Sequence, residues 1–243
     1  MIEKTFRILK SIAANNGKTI DTISADTGIP RSSVQRILQS LIKEGIIASK
    51  PKYGYILTPV LLTIAISDKN KYSLLDLAIP VMREISEITR ETVSLNIISG
   101  YERICIFRIE GDLEITRNIK IGEKAPLFIG SAGKIIASGL STKEAEKILE
   151  KYVETNVIQT EEIETIKKNI NQVKSDGYAI SSGERLQGSA SIAVPIKDAS
   201  GNIVASLSIA SIKARFTEEN KEKFLNLLLK GSKEIASEFG FLL

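Results

Sequence analysis

The sequence predicts an α+β chain in two parts: a small N-terminal unit of three helices and a hairpin, then a larger unit whose helices flank an antiparallel sheet. Three observations predict it. Between Lys4 and Gly45 apolar residues recur at helical spacing, with Gly or Pro at the breaks. From Thr92 onward, runs rich in β-branched residues alternate with helical stretches. Charge also divides the chain: residues 1–58 carry nine Lys and Arg against four acids, net +5, while the rest carries 24 against 25, net −1. A local positive excess of this kind is the electrostatic footprint of a polyanion partner.

The first helix is expected from Lys4 to Asn15, with Phe6, Ile8, Leu9, Ile12 and Ala13 as its buried stripe and Gly17 beyond its end. A shorter second helix follows, capped by Asp21 or Thr22 and ended by Gly28 in the left-handed region that glycine tolerates. Pro30 opens the third, where its missing N–H is no loss. There Val34, Ile37, Leu38, Leu41 and Ile42 form one apolar face, and the opposite face collects Ser32, Arg36, Gln39, Ser40 and Lys43. Gly45 stops this helix, and "IIASKPKYGYILTP" reads as two short strands around a Pro51–Gly54 turn. Helix, helix, Gly-containing turn, helix and hairpin within residues 1–58 form the pattern of a winged helix-turn-helix DNA-binding domain.

Residues 59–72 read as a linker helix with a polar end, and 73–243 as a second domain. Within it we expect a helix from Leu74 to Arg90, strands at Thr92–Ser99, Glu102–Ile109 and Glu114–Ile119, and a helix starting near Ser131. Helices at 142–152 and 160–175 precede three strands, "YAIS", "SASIAVPIKD" and "NIVASLSIASI", the last two joined by an Asp198–Gly201 turn. A closing helix, Glu218–Phe239, presents Phe224, Leu227, Leu228, Ile235 and Phe239 on one face.

Composition narrows the function classes. With no histidine, the chain lacks the commonest general base and the commonest transition-metal ligand, and the single Cys105 allows neither an intrachain disulfide nor a thiolate cluster. No metal or cofactor is expected. No apolar run nears the ~20 residues that span a bilayer, and "MIEKTFRILK" is charged where a signal peptide is apolar, so a soluble, cytoplasmic protein is expected.

The chain resembles the IclR family of bacterial and archaeal transcriptional regulators over nearly its whole length. The resemblance rests on "TISADTGIPRSSVQRILQSLIKEGII" and "GYILTP" at the N-terminus, and more specifically on "LAIPVMREISEITRETVSL", "IGEKAPLFIGSAGKIIAS" and "DGYAISSGERLQGSASIAVPIKDASGNIVASLSIAS" in order. It implies a winged helix-turn-helix joined by a linker helix to a GAF-like domain that binds a small-molecule effector, assembled as a dimer or a dimer of dimers. The chain departs from the family's usual pattern in Phe128, where His is usual, in Ser181–Glu184, where an acidic cluster is common, and in Ser191, where Cys is common.

Docked in a major groove, the third helix would use Arg36 on guanine O6 and N7 and Gln35 on adenine N6 and N7. Ser32 and Ser33 would reach phosphate or base, with Gln39 and Lys43 farther along the same helix, while Lys50 and Lys52 on the wing and Lys18 would neutralise phosphates. The alternative is a solvated polar face on a protein-interaction module. For the effector, the resemblance implies Ser131 and Ala132 at a helix N-terminus suited to an anion, with Ser191 and Ser208 on facing strands. Arg117 offers a bidentate partner for a carboxylate or phosphate, the alternative being an ordinary edge-strand arginine. Two rival functions remain at this stage: a ligand sensor without DNA binding, and a hydrolase built on the Ser-x-x-Lys of Ser131 and Lys134.

Overall fold

The computed structural model describes residues 2–14, 18–51, 54–61, 69–114 and 119–240. The chain divides into two compact units, residues 1–69 and 70–243. In the first, α1 (Ile2–Ala14), α2 (Ile20–Thr27) and α3 (Arg31–Lys43) pack with an antiparallel hairpin, β1 (Ile47–Lys50) and β2 (Gly54–Leu57). Ile8, Ile12, Ile23, Val34, Leu38 and Ile47 form its buried centre. Three sequence expectations shift. Phe6, Ala13 and Ile42 are exposed, because the inward arc of each helix is narrower than its apolar arc. The α2 cap is Thr19 rather than Asp21 or Thr22, and it exchanges capping-box hydrogen bonds with Thr22. Lys18 is not a free phosphate ligand: its ammonium bonds Asp26 and Ser11 with the side chain mostly buried. Gly28 ends α2 in the left-handed region as expected, at φ 64°, and Gly45, expected to stop α3, follows that helix at φ 69°. Most of the expected linker helix, residues 62–68, lies outside the described residues.

The second unit opens with α4 (Lys69–Thr89), which starts five residues before the expected Leu74 and carries Pro80 within it. Strands β3 (Thr92–Ser99), β4 (Glu102–Ile109) and β5 (Lys124–Pro126) precede helices α5 (Ser131–Ser138), α6 (Thr142–Glu154) and α7 (Ile163–Asp176). Then come β6 (Ala179–Ser182), β7 (Ser189–Lys197), β8 (Ile203–Ile212) and α8 (Glu218–Gly240). All six strands join one antiparallel sheet in the order β5-β4-β3-β8-β7-β6. The expected strand at Glu114–Ile119 is corrected at both ends, since neither Glu114 nor Ile119 is extended in a ladder, and residues 115–118 lie outside the described residues. The edge strand is β5 instead, whose three residues end in Pro126, too short to show a period and placed where proline's missing donor faces no neighbour.

Strand alternation gives the sheet two different faces. Val93 and Leu95 pair with Ile209 and Leu207, and these side chains meet Met82 and Ile85 of α4 and Phe224 and Leu228 of α8. The two helices cross so closely that a Cβ on Gly231 would stand 2.6 Å from Val81 Cγ1. On the other face Thr92, Ser94 and Asn96 pair with Ala210, Ser208 and Ser206, and α5 covers part of that polar surface.

Candidate functional site

The first site is a surface. α3 buries Val34, Ile37, Leu38 and Leu41 and exposes Ser32, Gln35, Arg36, Gln39 and Lys43, with Ser33 half-buried. Lys50 is exposed at the end of β1, and Tyr55 N–H donates to Lys18 carbonyl oxygen at 3.0 Å, fastening the hairpin to the turn before α2. Arg36, Lys43 and Lys50 form no ion pair among the described residues, whereas Arg31 is held by Asp21. Lys52 lies outside the described residues. A helix that buries one arc and holds uncommitted hydroxyl, amide and guanidinium donors on the other has the chemistry of a groove reader.

The second site is a cavity of about 40 Å³ between the polar sheet face and the N-terminus of α5. Ser131, Ala132, Ser191 and Ser208, which the sequence singled out, all line it. Ser131 Oγ donates to Ser191 Oγ at 2.7 Å, and Ser94 and Ser208 share a hydroxyl bond of 2.9 Å. Arg117 lies outside the described residues. The arginines seen at the cavity are Arg103 and Arg185, and no acid lines it among the described residues.

Sequence reasoning missed Arg103. It stands on β4, 4% exposed, and its guanidinium donates to Asn96 Oδ1; Asn96 Nδ2 donates in turn to Ser94 Oγ at 3.2 Å. A buried polar chain thus runs Arg103, Asn96, Ser94, Ser208 across three adjacent strands. The register irregularity between Leu95 and Asn96 turns Arg103 and Cys105 toward this face. The signal was an arginine inside the apolar run "YERICIF", where burial demands a partner. Ser206 adds a fully buried hydroxyl on the same face, without a hydrogen-bond partner among the described residues. Burial pushes the Cys105 thiol up to about 11, so it stays a neutral, weakly polar group packed behind Ile119 and Ala210.

A loop from Gly183 to Gly188 closes the cavity. Glu184 accepts from Gly130 N–H at 2.9 Å and from the Lys134 ammonium, which also reaches Ile180 carbonyl oxygen at 3.4 Å. Arg185 Nη2 donates to Glu123 at 2.6 Å, and its side chain lies against Gly130, where a Cβ would stand 3.2 Å away. One carboxylate therefore occupies the start of α5, a position whose N–H groups lack intrahelical acceptors. Ser131 and Lys134 do not bond each other among the described residues: the lysine bonds Glu184 and the serine bonds Ser191. Of the three departures from the family pattern, Ser191 and Ser181 line the cavity and Glu184 bonds Gly130 beside it, whereas Phe128 is not in the lining and packs against Tyr152.

A winged helix-turn-helix with an exposed reading face, followed by an α+β unit with a buried polar cavity, defines a DNA-binding regulator with a ligand-binding domain. Comparison with known proteins agrees. Residues 1–51 match the IclR helix-turn-helix domain, and residues 69–237 match the bacterial transcriptional regulator IclR C-terminal domain. The chain belongs to the IclR family of transcription regulators. It is 27% identical over 241 residues to the HTH-type transcriptional regulator KdgR of Dickeya chrysanthemi, covering 98% of this chain and 79% of that protein. It is 30% identical over 225 residues to the Pca regulon regulatory protein of Pseudomonas putida, covering 90% and 77%. Thermotoga maritima IclR superposes over 98% of each chain with a TM-score of 0.74 at 25% identity. An IclR homolog from Microbacterium hydrocarbonoxydans, solved with 4-hydroxybenzoate, has the same fold, with a TM-score of 0.82 at 18% identity over 98% of each chain. Among the described residues no helix is long and apolar enough to cross a membrane.

Proposed function

We propose that this regulator is a cytoplasmic, non-enzymatic homo-oligomer whose α3 helices read a near-palindromic operator, and that a small anion in the α5 cavity changes its operator affinity. The observation that carries the DNA half is the split of α3 into a buried arc and an exposed arc holding Ser32, Gln35, Arg36 and Gln39. Arg36 and Gln35 are the base readers, and Lys43, Lys50 and Lys52 are phosphate ligands. A two-fold dimer matches a two-fold DNA site, which is why a palindrome is expected. The boundaries 1–58, 59–72 and 73–243 remain our functional division of the chain.

The ligand half is supported by the cavity lining, which pairs two arginines with a set of serine hydroxyls and a helix N-terminus. A small carboxylate is the best fit, and the 4-hydroxybenzoate bound by the Microbacterium relative is itself a carboxylate. At about 40 Å³ the cavity holds a few waters, so the acid enters by displacing them and lifting the Glu184–Arg185 loop. It shifts the DNA-competent population only as far as its affinity differs between the two states.

The test is titration of fluorescent duplex from upstream of the protein's own gene, across salt concentrations, against random duplex. Specific binding about a thousandfold tighter than random is expected. Arg36→Ala should cost about 1–3 kcal/mol and relax one base position, whereas Lys50→Ala should weaken all sequences alike and flatten the salt slope. Full operator affinity in both variants would refute the assigned surface, and absence of binding even at low salt would favour a ligand sensor without DNA.

A further inference from the structure

We propose that the cleft between α5, α6 and α7 is a second small-molecule site, which takes an organic acid with a compact apolar body. The cleft holds about 200 Å³ and shares no lining residue with the α5 N-terminal cavity. Its inner wall is Phe128, Ala137, Leu149 and Ile170, all buried. A void of about 150 Å³ lined only by aliphatic and aromatic groups stays dry and accepts benzene, so this wall suits one ring or a branched chain of similar size.

The wall is fixed rather than collapsible. Phe128 meets Tyr152 edge to face, with ring centroids 5.8 Å apart and planes at 82°. The Tyr152 hydroxyl accepts from Leu127 N–H at 2.9 Å and donates to Tyr101 carbonyl oxygen, tying α6, the segment before α5 and the β3–β4 turn together. The Phe128 side of the floor is thereby held in place by a hydrogen-bonded Tyr152, and such preorganisation favours binding.

The mouth selects the charge. Lys167, Asn171 and Lys174 follow one another at i, i+4 and i+7 along α7, a spacing that puts three donors on one face beside the opening. Lys174 makes no ion pair among the described residues, and Lys167 reaches Glu164 and Glu146 only at 3.4 and 3.9 Å. Glu146 is the one acid in the lining among the described residues, and it already faces Lys167. An apolar body therefore enters between α6 and α7 with its carboxylate held by Lys174 and Asn171 at the rim, where charge and water are both accessible.

The test uses the full chain with isotope-labelled Ile, Leu and Ala methyl groups, titrated with 4-fluorobenzoate and cyclohexanecarboxylate, and with 4-fluorobenzyl alcohol as the neutral counterpart. Saturable shifts at Leu149, Ile166 and Ile170 at low-millimolar acid are expected. Lys167→Gln with Lys174→Gln should weaken both acids about tenfold and leave the alcohol unchanged, the loss expected for a charge-assisted hydrogen bond. Both lysines lie on the surface, and an unchanged melting curve confirms that the variant folds. Shifts confined to Ile119, Ala132 and Ala210 around the other cavity, no saturable shift with either acid, or an alcohol bound as tightly as the acids would each overturn the proposal.

Discussion

Replacing Gly133 by alanine should destabilise the second unit although alanine is the better helix former. In open helix the exchange gains about 1 kcal/mol. Here the added Cβ would stand 2.4 Å from Leu127 carbonyl oxygen and 2.8 Å from Pro126 carbonyl oxygen. An ordinary carbon-to-oxygen contact is about 3.3 Å or longer, so the overlap is close to an ångström. Those oxygens cannot retreat cheaply. Pro126 is paired with Glu102 in the sheet, and Leu127 N–H is bonded to Tyr152. Overpacking against fixed atoms costs about 1–3 kcal/mol, and two simultaneous backbone overlaps belong at the upper end. Subtracting the propensity gain leaves a net loss of about 2 kcal/mol, or roughly 4–8 °C in melting temperature for a unit of this size. The relief route is a shift of α5, which would move Ser131 from Ser191 and weaken the anion binding proposed for that cavity as well. Denaturant midpoints of wild type and Gly133→Ala, measured with effector-cavity binding of a carboxylate probe, decide the matter. A midpoint equal to or above that of wild type would refute the argument, because it would mean that α5 has the room an ordinary helix has.

Other perturbations follow from the same geometry. Glu91 is 1% exposed and takes two bonds from Arg215, at 2.6 and 2.9 Å, and one from Ser211 at 2.7 Å; Glu91→Ala should cost about 1–3 kcal/mol by denaturant unfolding, since Arg215, partly exposed, can regain water. Lys18 and Ser11 hold the Asp26 carboxyl below its ordinary value of 3.8; a depressed folded value means stability that is present above 3.8 and lost as pH falls through the folded value. Asp26→Asn should therefore flatten the acid limb of the first unit's unfolding curve below that pH, and an unchanged limb would count against the Lys18 contact. Cys105, buried and raised to about 11, should resist iodoacetamide at pH 8 in the folded protein and react once denatured, a contrast readable by mass spectrometry.

The fold was largely legible because its elements announce themselves by period and punctuation. The strands at Thr92–Ser99 and Glu102–Ile109 coincide with their expected bounds, as does the helix start at Ser131, each set off by Gly, Pro or a polar turn. Failure came where those signals are absent. Three residues of β5 carry no period, and Thr19 does not stand out as a cap because Asp21 and Thr22, two and three positions on, are equally good capping residues. Phe6, 58% exposed, shows that an apolar residue on a helical stripe need not be inside, since composition alone does not fix how wide the covered arc is.

The site was less legible than the fold, and the reason lies in the same alternation that revealed the strands. "TVSLN" and "SLSIAS" alternate apolar and polar residues, the pattern normally written by a strand with one face in water. Here that polar face is partly covered by α5, and Ser94, Asn96, Ser206 and Ser208 are all buried. Nothing in a single strand distinguishes a polar face turned to solvent from one turned to a cavity, because period two reports sidedness and not what lies opposite. The distinguishing residue is Arg103, since an arginine amid apolar neighbours on a central strand is tolerated only where other groups satisfy it. Its chain of bonds through Asn96 to Ser94 and Ser208 makes the polar face one connected donor array rather than a solvated surface. The Ser206 hydroxyl on the same face has no partner among the described residues, and a buried polar group left so is costly unless something polar reaches it. That array of donors, with Arg103 at its end, is what a ligand entering the cavity would meet first.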